Sequence, residues 1–177
     1  TLGVDWHPTG KEVTRAFAST KSCGLETCNL ETGECFMLKE PTPPLLSLQY
    51  SHDGKWIACT LAVSFKNLQV FIVNRNDPAD TIVYSIKDDS KDVSPSWSPD
   101  DKKLAFVSDA KGGSQVVIQE FQGEERTFLE LEEGEEVPLD VQAAWVPEGD
   151  KVYYVVSKHS RTTVHGHPID GEKETAL

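Results

Sequence analysis

Apolar residues along this chain come in short runs of about five to eight, bounded by turn residues, and nowhere at a helical spacing. The runs "KWIACTLAV" (55–63), "KKLAFVS" (102–108) and "KVYYVVS" (151–157) are apolar almost throughout, as strands covered on both faces are. "NLQVFIVN" (67–74) and "SQVVIQEF" (114–121) alternate, and "GEERTFLE" (123–130) is polar enough for an outer strand. Ten prolines and twelve glycines fall between the runs, where the chain must turn. The pattern predicts an all-β protein.

The strands recur as a unit. "DWHPTGKEVTRAFAS" (5–19), "QYSHDGKWIACTLAVS" (49–64), "SWSPDDKKLAFVS" (96–108) and "AWVPEGDKVYYVVS" (144–157) align on an aromatic, a polar turn and an apolar strand that ends in Ser. The aromatics Trp6, Tyr50, Trp97 and Trp145 lie at steps of 44, 47 and 48 residues. A second landmark stays in phase: Gly33, Gly123 and Gly171 follow their aromatics by 27, 26 and 26 residues. Four antiparallel strands repeated at this period make one blade of a β-propeller, in which stacked blades bury the second and third strands of each. The expected blades are 1–40, 41–88, 89–135 and 136–177, with Trp6, Tyr50, Trp97 and Trp145 as wedges between them. Four such blades form part of a larger ring, half of an eight-bladed ring completed by a second copy of the chain, or a four-bladed ring.

"PSWSPDDKKLAFVS" (95–108) and "NLETGE" (29–34) resemble the TolB-type, WD-like propeller repeat, which occurs in related form in the propellers of prolyl-oligopeptidase-type serine peptidases. The resemblance extends over essentially the whole chain. It is weakest in the first unit, where Thr14 and Arg15 stand at positions expected to be apolar. It implies a non-catalytic binding or scaffold module for protein or peptide partners. The alternatives are the gating propeller of a peptidase whose hydrolase domain is absent from this chain, and a repeat fragment or engineered propeller without a ligand of its own. A TolB-like role would imply a periplasmic setting.

Composition narrows the partners. A formal charge of −12 sets aside the nucleic-acid backbone and anionic lipid surfaces, and no apolar run reaches the ~20 residues needed to cross a bilayer as a helix. The chain shows neither the Gly-x-Ser-x-Gly elbow, the His-Glu-x-x-His pair nor a P-loop, so no catalytic residue and no cofactor is assigned. Lysines recur after the second strand of every unit: Lys21, Lys66, Lys111 and Lys158, the last beside Arg161. The loops that lead into the first strands are acidic in units three and four, with Asp88, Asp89 and Asp92, then Glu132, Glu133, Glu135 and Glu136. In a propeller both sets share one end, which is the expected docking face.

The cysteines form the pattern Cys23-x4-Cys28-x6-Cys35, with Cys59 in a buried strand. A two-residue turn at Thr32-Gly33 would leave Cys28 and Cys35 out of register, so a disulfide is not expected. The thiols then read as structural, without metal, and favour a reducing compartment. His165 and His167 fall on one face of a strand with no carboxylate at a matching offset in it, which reads as an exposed edge rather than a metal site.

Overall fold

The computed structural model describes residues 3–19, 22–39 and 43–169. Every regular element among them is a strand. Blade 1 contains β1 (Gly3–Trp6), β2 (Glu12–Ala18), β3 (Cys23–Asn29) and β4 (Cys35–Lys39). Blade 2 contains β5 (Leu45–Tyr50), β6 (Trp56–Ala62), β7 (Leu68–Asn74) and β8 (Thr81–Tyr84). Blade 3 contains β9 (Asp92–Trp97), β10 (Lys103–Ser108), β11 (Gln115–Glu120) and β12 (Arg126–Phe128). Blade 4 has β13 (Ala144–Trp145), β14 (Lys151–Lys158) and β15 (Arg161–Pro168). Each blade is an antiparallel meander in chain order, and the inner strands β1, β5, β9 and β13 lie neighbour to neighbour. These are the propeller blades that the repeat predicts; the outer strand expected for blade 4 lies outside the described residues.

The first turn of blades 2 and 3 is built by one device. Ser51 Oγ bonds Asp53 Oδ1 (2.8 Å) and accepts from Trp56 N (2.9 Å); Ser98 Oγ does the same with Asp100 (2.7 Å) and Lys103 N (2.9 Å). The side chains thereby take over backbone groups that the turn leaves without partners.

Blades stack by size matching. The face of each blade toward its predecessor is its leading face; the other is its trailing face. At the centre of the trailing faces of blades 2 and 3 sit Ala58 and Ala105, each fully buried. They receive Trp97, Leu104 and Phe106 of blade 3, and Val152 and Tyr154 of blade 4, respectively. Blade 4 inverts the arrangement on its own trailing face. Tyr153 stands at the small position, and its cross-strand partner is Gly166, where a Cβ would come within 2.8 Å of the Tyr153 ring. The ring lies over the space that glycine leaves open.

Hydrogen bonds repeat across the same interfaces. Asp5 Oδ2 accepts from Tyr50 N (2.9 Å), Gln49 Oε1 accepts from Trp97 N (2.9 Å), and Ser96 Oγ donates to Ala143 O (2.7 Å). The residue before each wedge aromatic thus holds the inner strand of the next blade. Ala144 occupies this position in blade 4 and has no such group.

The wedge expectation meets different outcomes along the chain. Trp97 is 2% exposed and packs edge-on against Phe121, Tyr50 is buried, and Trp145 is half-buried with its Nε1 donating to Ser96 O. Trp6 is 59% exposed, because among the described residues no blade lies against the leading face of blade 1. Val4 on that face, and Tyr153 and Val164 on the trailing face of blade 4, are exposed as well, so the described residues of the first and last blades do not bury these side chains against each other.

The cysteine reading is corrected. Cys28 and Cys35 are direct cross-strand partners with Cα atoms 4.0 Å apart, joined by a disulfide. The hairpin closes at the Asn29·Glu34 pair (Asn29 N to Glu34 O, 2.8 Å) around a four-residue loop. A two-residue turn at Thr32-Gly33 would have displaced the register by two positions. The inference to a reducing compartment loses its basis with it. Cys59 is fully buried and burial raises its thiol, as expected of a structural cysteine.

Candidate docking faces

Antiparallel order sends the β6–β7, β10–β11 and β14–β15 loops to the same end as the loops crossing from blade to blade, and direct contacts show this for the β6–β7 and β10–β11 loops. Leu68 N donates to Ser90 O (3.1 Å), Lys91 N to Asp109 Oδ1 (2.7 Å) and Val137 N to Ser114 O (2.9 Å); Lys87 Nζ reaches Ala110 O. Lysines and acidic loops therefore do meet at this end, but not as one uniform surface.

Lys66 is exposed. Lys111 lies with its ammonium 3.7 Å from the centre of the Phe128 ring, and Lys158 pairs with Glu132 at 3.4 Å. Arg161 is exposed and is the register partner of Lys158. Lys21 lies outside the described residues. Asp88 and Asp89 are exposed.

Asp92 does not belong to the surface and is corrected here. It is fully buried and its Oδ2 accepts from Ile86 N (2.8 Å) and Ser90 Oγ (3.1 Å). Burial raises its carboxyl above the ordinary value, against hydrogen bonds from Ser108, Ile86 and Ser90 that pull it down. It fixes the crossing into β9.

Sequence reasoning missed Phe65, the most exposed large apolar side chain described, at 89%. It tips the β6–β7 loop beside exposed Val63 and Lys66, with Lys91 Nζ 5.7 Å from its ring centre. The signal was present as "AVSFKN", an aromatic in a loop where the other units carry none.

The His165 reading is also corrected. His165 is 5% exposed, tilted against Tyr154, and its Nε2 lies 3.8 Å from Glu135 Oε1. The carboxylate comes from the crossing loop rather than from the strand. Burial, and then the charge of Glu135, push the Tyr154 phenol up to about 12. His167 is half-buried, with its Nδ1 2.6 Å from Pro168 O.

The opposite end carries the first turns. A cleft of about 530 Å³ lies there between blades 2, 3 and 4, lined among others by Gln49, His52, Trp97, Gln142 and Trp145. Gln49 and Gln142 are partly committed to backbone, the latter donating to Pro95 O (2.6 Å). His52 is held from the next blade, because Asp101 accepts from its amide (2.8 Å) and meets its Nδ1 (2.9 Å).

Comparison with known proteins agrees with this architecture. Tol-Pal system protein TolB of Xylella fastidiosa (strain 9a5c) is 64% identical over 28 residues, 16% of this chain and 6% of that protein. Uncharacterized peptidase YuxL of Bacillus subtilis (strain 168) is 32% identical over 89 residues, 49% of this chain and 12% of that protein. Among solved structures, TolB from Acinetobacter baumannii superposes with a TM-score of 0.73 at 19% identity, over 98% of this chain and 42% of that one. A puromycin-hydrolyzing peptidase of Mycobacterium tuberculosis gives 0.77 at 15%, over 97% and 30%. The chain thus spans less than half the length of these relatives. The family described as TolB beta propeller domain matches residues 1–177 in full, and the chain belongs to that family.

Proposed function

We propose that this chain is a non-catalytic binding module whose loop end takes a protein or peptide segment. The observation that carries the reading is Phe65, an almost fully exposed aromatic with Lys66 and Lys91 beside it. An aromatic of this size in water is the kind of group that anchors an interface once a partner covers it. The flanking ammonium groups favour a segment with an apolar side chain next to a carboxylate. Lys111, Lys158 and Arg161 extend the proposed face, with Asp88 and Asp89 as its acidic sector. Asp92 has no part in it.

Site-specific photo-crosslinking tests this, with a probe at position 65 compared with one at Gln142 in the cleft between blades 2, 3 and 4. Partner crosslinks from position 65 that are lost in Lys66→Glu support the loop face. Crosslinks from position 142 alone overturn it.

A second reading is favoured by the 89-residue likeness to a peptidase: the blades would then gate an adjoining hydrolase domain. A Gly-x-Ser-x-Gly segment encoded downstream in the same gene would establish it.

A further inference from the structure

The Cys28–Cys35 bridge has a third group beside it. Glu26 precedes Cys28 by two residues on β3 and so projects from the same face, with its Oε2 3.9 Å from Cys28 Sγ. The two sulfurs and a carboxylate oxygen of Glu26 all lie within 4.8 Å of one another. The corresponding positions of blades 2 and 3 are Phe71 and Val73, then Val117 and Gln119, and none of these can offer a sulfur or a carboxylate. The fold is made without these donors twice over, so blade 1 departs from the repeat in a way that stacking does not require.

We propose that Cys28, Cys35 and Glu26 form a redox-gated site for a thiophilic divalent cation of the zinc type. The expectation that Cys28 and Cys35 stand out of register fails, because the observed pairing sets them directly opposite each other. In the disulfide form no thiolate exists and the site is closed. A dithiol reductant opens it: the S–S bond breaks, two electrons and two protons pass to Cys28 and Cys35, and the reductant leaves as its own disulfide. Cation binding then displaces both thiol protons.

Zinc–sulfur bonds of ~2.3 Å and zinc–oxygen bonds of ~2.0–2.2 Å need donors slightly under 4 Å apart in a tetrahedron, within reach of side-chain rotation here. Water fills the fourth position. Two thiolates and one carboxylate around a divalent ion leave a single negative charge. Arg15 is placed to balance it, with its guanidinium 2.7 Å from Glu26 Oε2.

The other cysteines do not compete. Cys23 lies five residues back on β3, about 16 Å away at strand rise and on the opposite face. Cys59 is buried, with its thiol held protonated.

The test titrates the chain with cadmium, a spectroscopic stand-in for zinc, after reduction by a phosphine that does not bind metal. The expected result is a thiolate-to-metal charge-transfer band that saturates at one equivalent and is absent from the oxidised protein. The band should persist in Cys23→Ser, vanish in Cys35→Ser, and appear with about tenfold or weaker affinity in Glu26→Gln. Circular dichroism on each reduced variant checks that the blades remain folded, and these side chains are partly or fully exposed. No band in the reduced wild type, a band that survives Cys35→Ser, or unchanged affinity in Glu26→Gln overturns the site as assigned.

Discussion

Blade 1 and blade 3 present the same repeat positions on their leading faces, and the residues there differ in kind. Blade 3 offers Trp97, Leu104 and Phe106, all buried under blade 2, with Val117 across from Phe106. Blade 1 offers Trp6, Val13 and Arg15, with Glu26 across from Arg15 and an ion pair at 2.7 Å where blade 3 has hydrocarbon. One face is dry and the other wet. The repeat therefore dictates strand and turn positions in every blade, while the neighbour decides whether the centre of a face must be apolar.

The largest effect expected from this contrast is at the wedges. Trp97→Ala should cost about 3–5 kcal/mol, as loss of a buried aromatic does, and Trp6→Ala should stay within about 0.5 kcal/mol. Denaturant midpoints measure both, and equal costs would break the comparison. The next concerns a buried acid against an exposed one. Asp92→Ala strands Ile86 N and Ser90 Oγ in the interior and should cost about 1–3 kcal/mol.

The pH dependence of the two acids has opposite sign. Burial raises the Asp92 carboxyl, so its contribution to stability is complete below the ordinary aspartate value and is lost as pH rises through the raised one. Stability relative to Asp92→Asn should accordingly shift in the variant's favour on going from acid to neutral pH. Burial also acts on Asp100, but hydrogen bonds from Ser98 and Lys102 outweigh it and hold that carboxyl low. Its contribution is present above the ordinary value and is lost on acidification, so Ser98→Ala should reduce the acid sensitivity of the turn. Thermal unfolding across pH 3 to 7 separates the two.

A smaller effect sits at Tyr50, whose hydroxyl meets Thr14 Oγ1 at 2.6 Å, itself 2.7 Å from Thr27 Oγ1, in a buried chain between blades 1 and 2. Tyr50→Phe should cost about 1 kcal/mol. The smallest is the Arg15–Glu26 pair, for which a double-mutant cycle should return about 0–1 kcal/mol, because half of Arg15 stands in water. A larger coupling would mean that the leading face of blade 1 is covered in solution.

What the sequence disclosed was what local chemistry decides. The wedge spacing, the polar turns after the aromatics and the doubly apolar strands all act over a few residues, and their period carried the fold. The losses came where a partner distant in sequence decides. The β3–β4 register depended on whether Glu34 pairs with Glu31 around a two-residue turn or with Asn29 around a four-residue loop. Asp92 reads as one more loop carboxylate until Ile86 and Ser108 are seen around it. His165 looks like an exposed edge until Glu135 arrives from the loop that crosses between blades. Phe65 was legible but lay outside the charge pattern then in view.

The hydrogen bonds that Asp5 and Gln49 accept from the inner strands of the blades after them run one way along the chain. Blades 1 and 2 thus each hold out an acceptor for the inner strand that is synthesised next. During translation, therefore, a newly made wedge strand emerges from the ribosome toward a template already in place. The arc can grow blade by blade from its amino-terminal side, and no blade has to wait for a later one to set its inner strand.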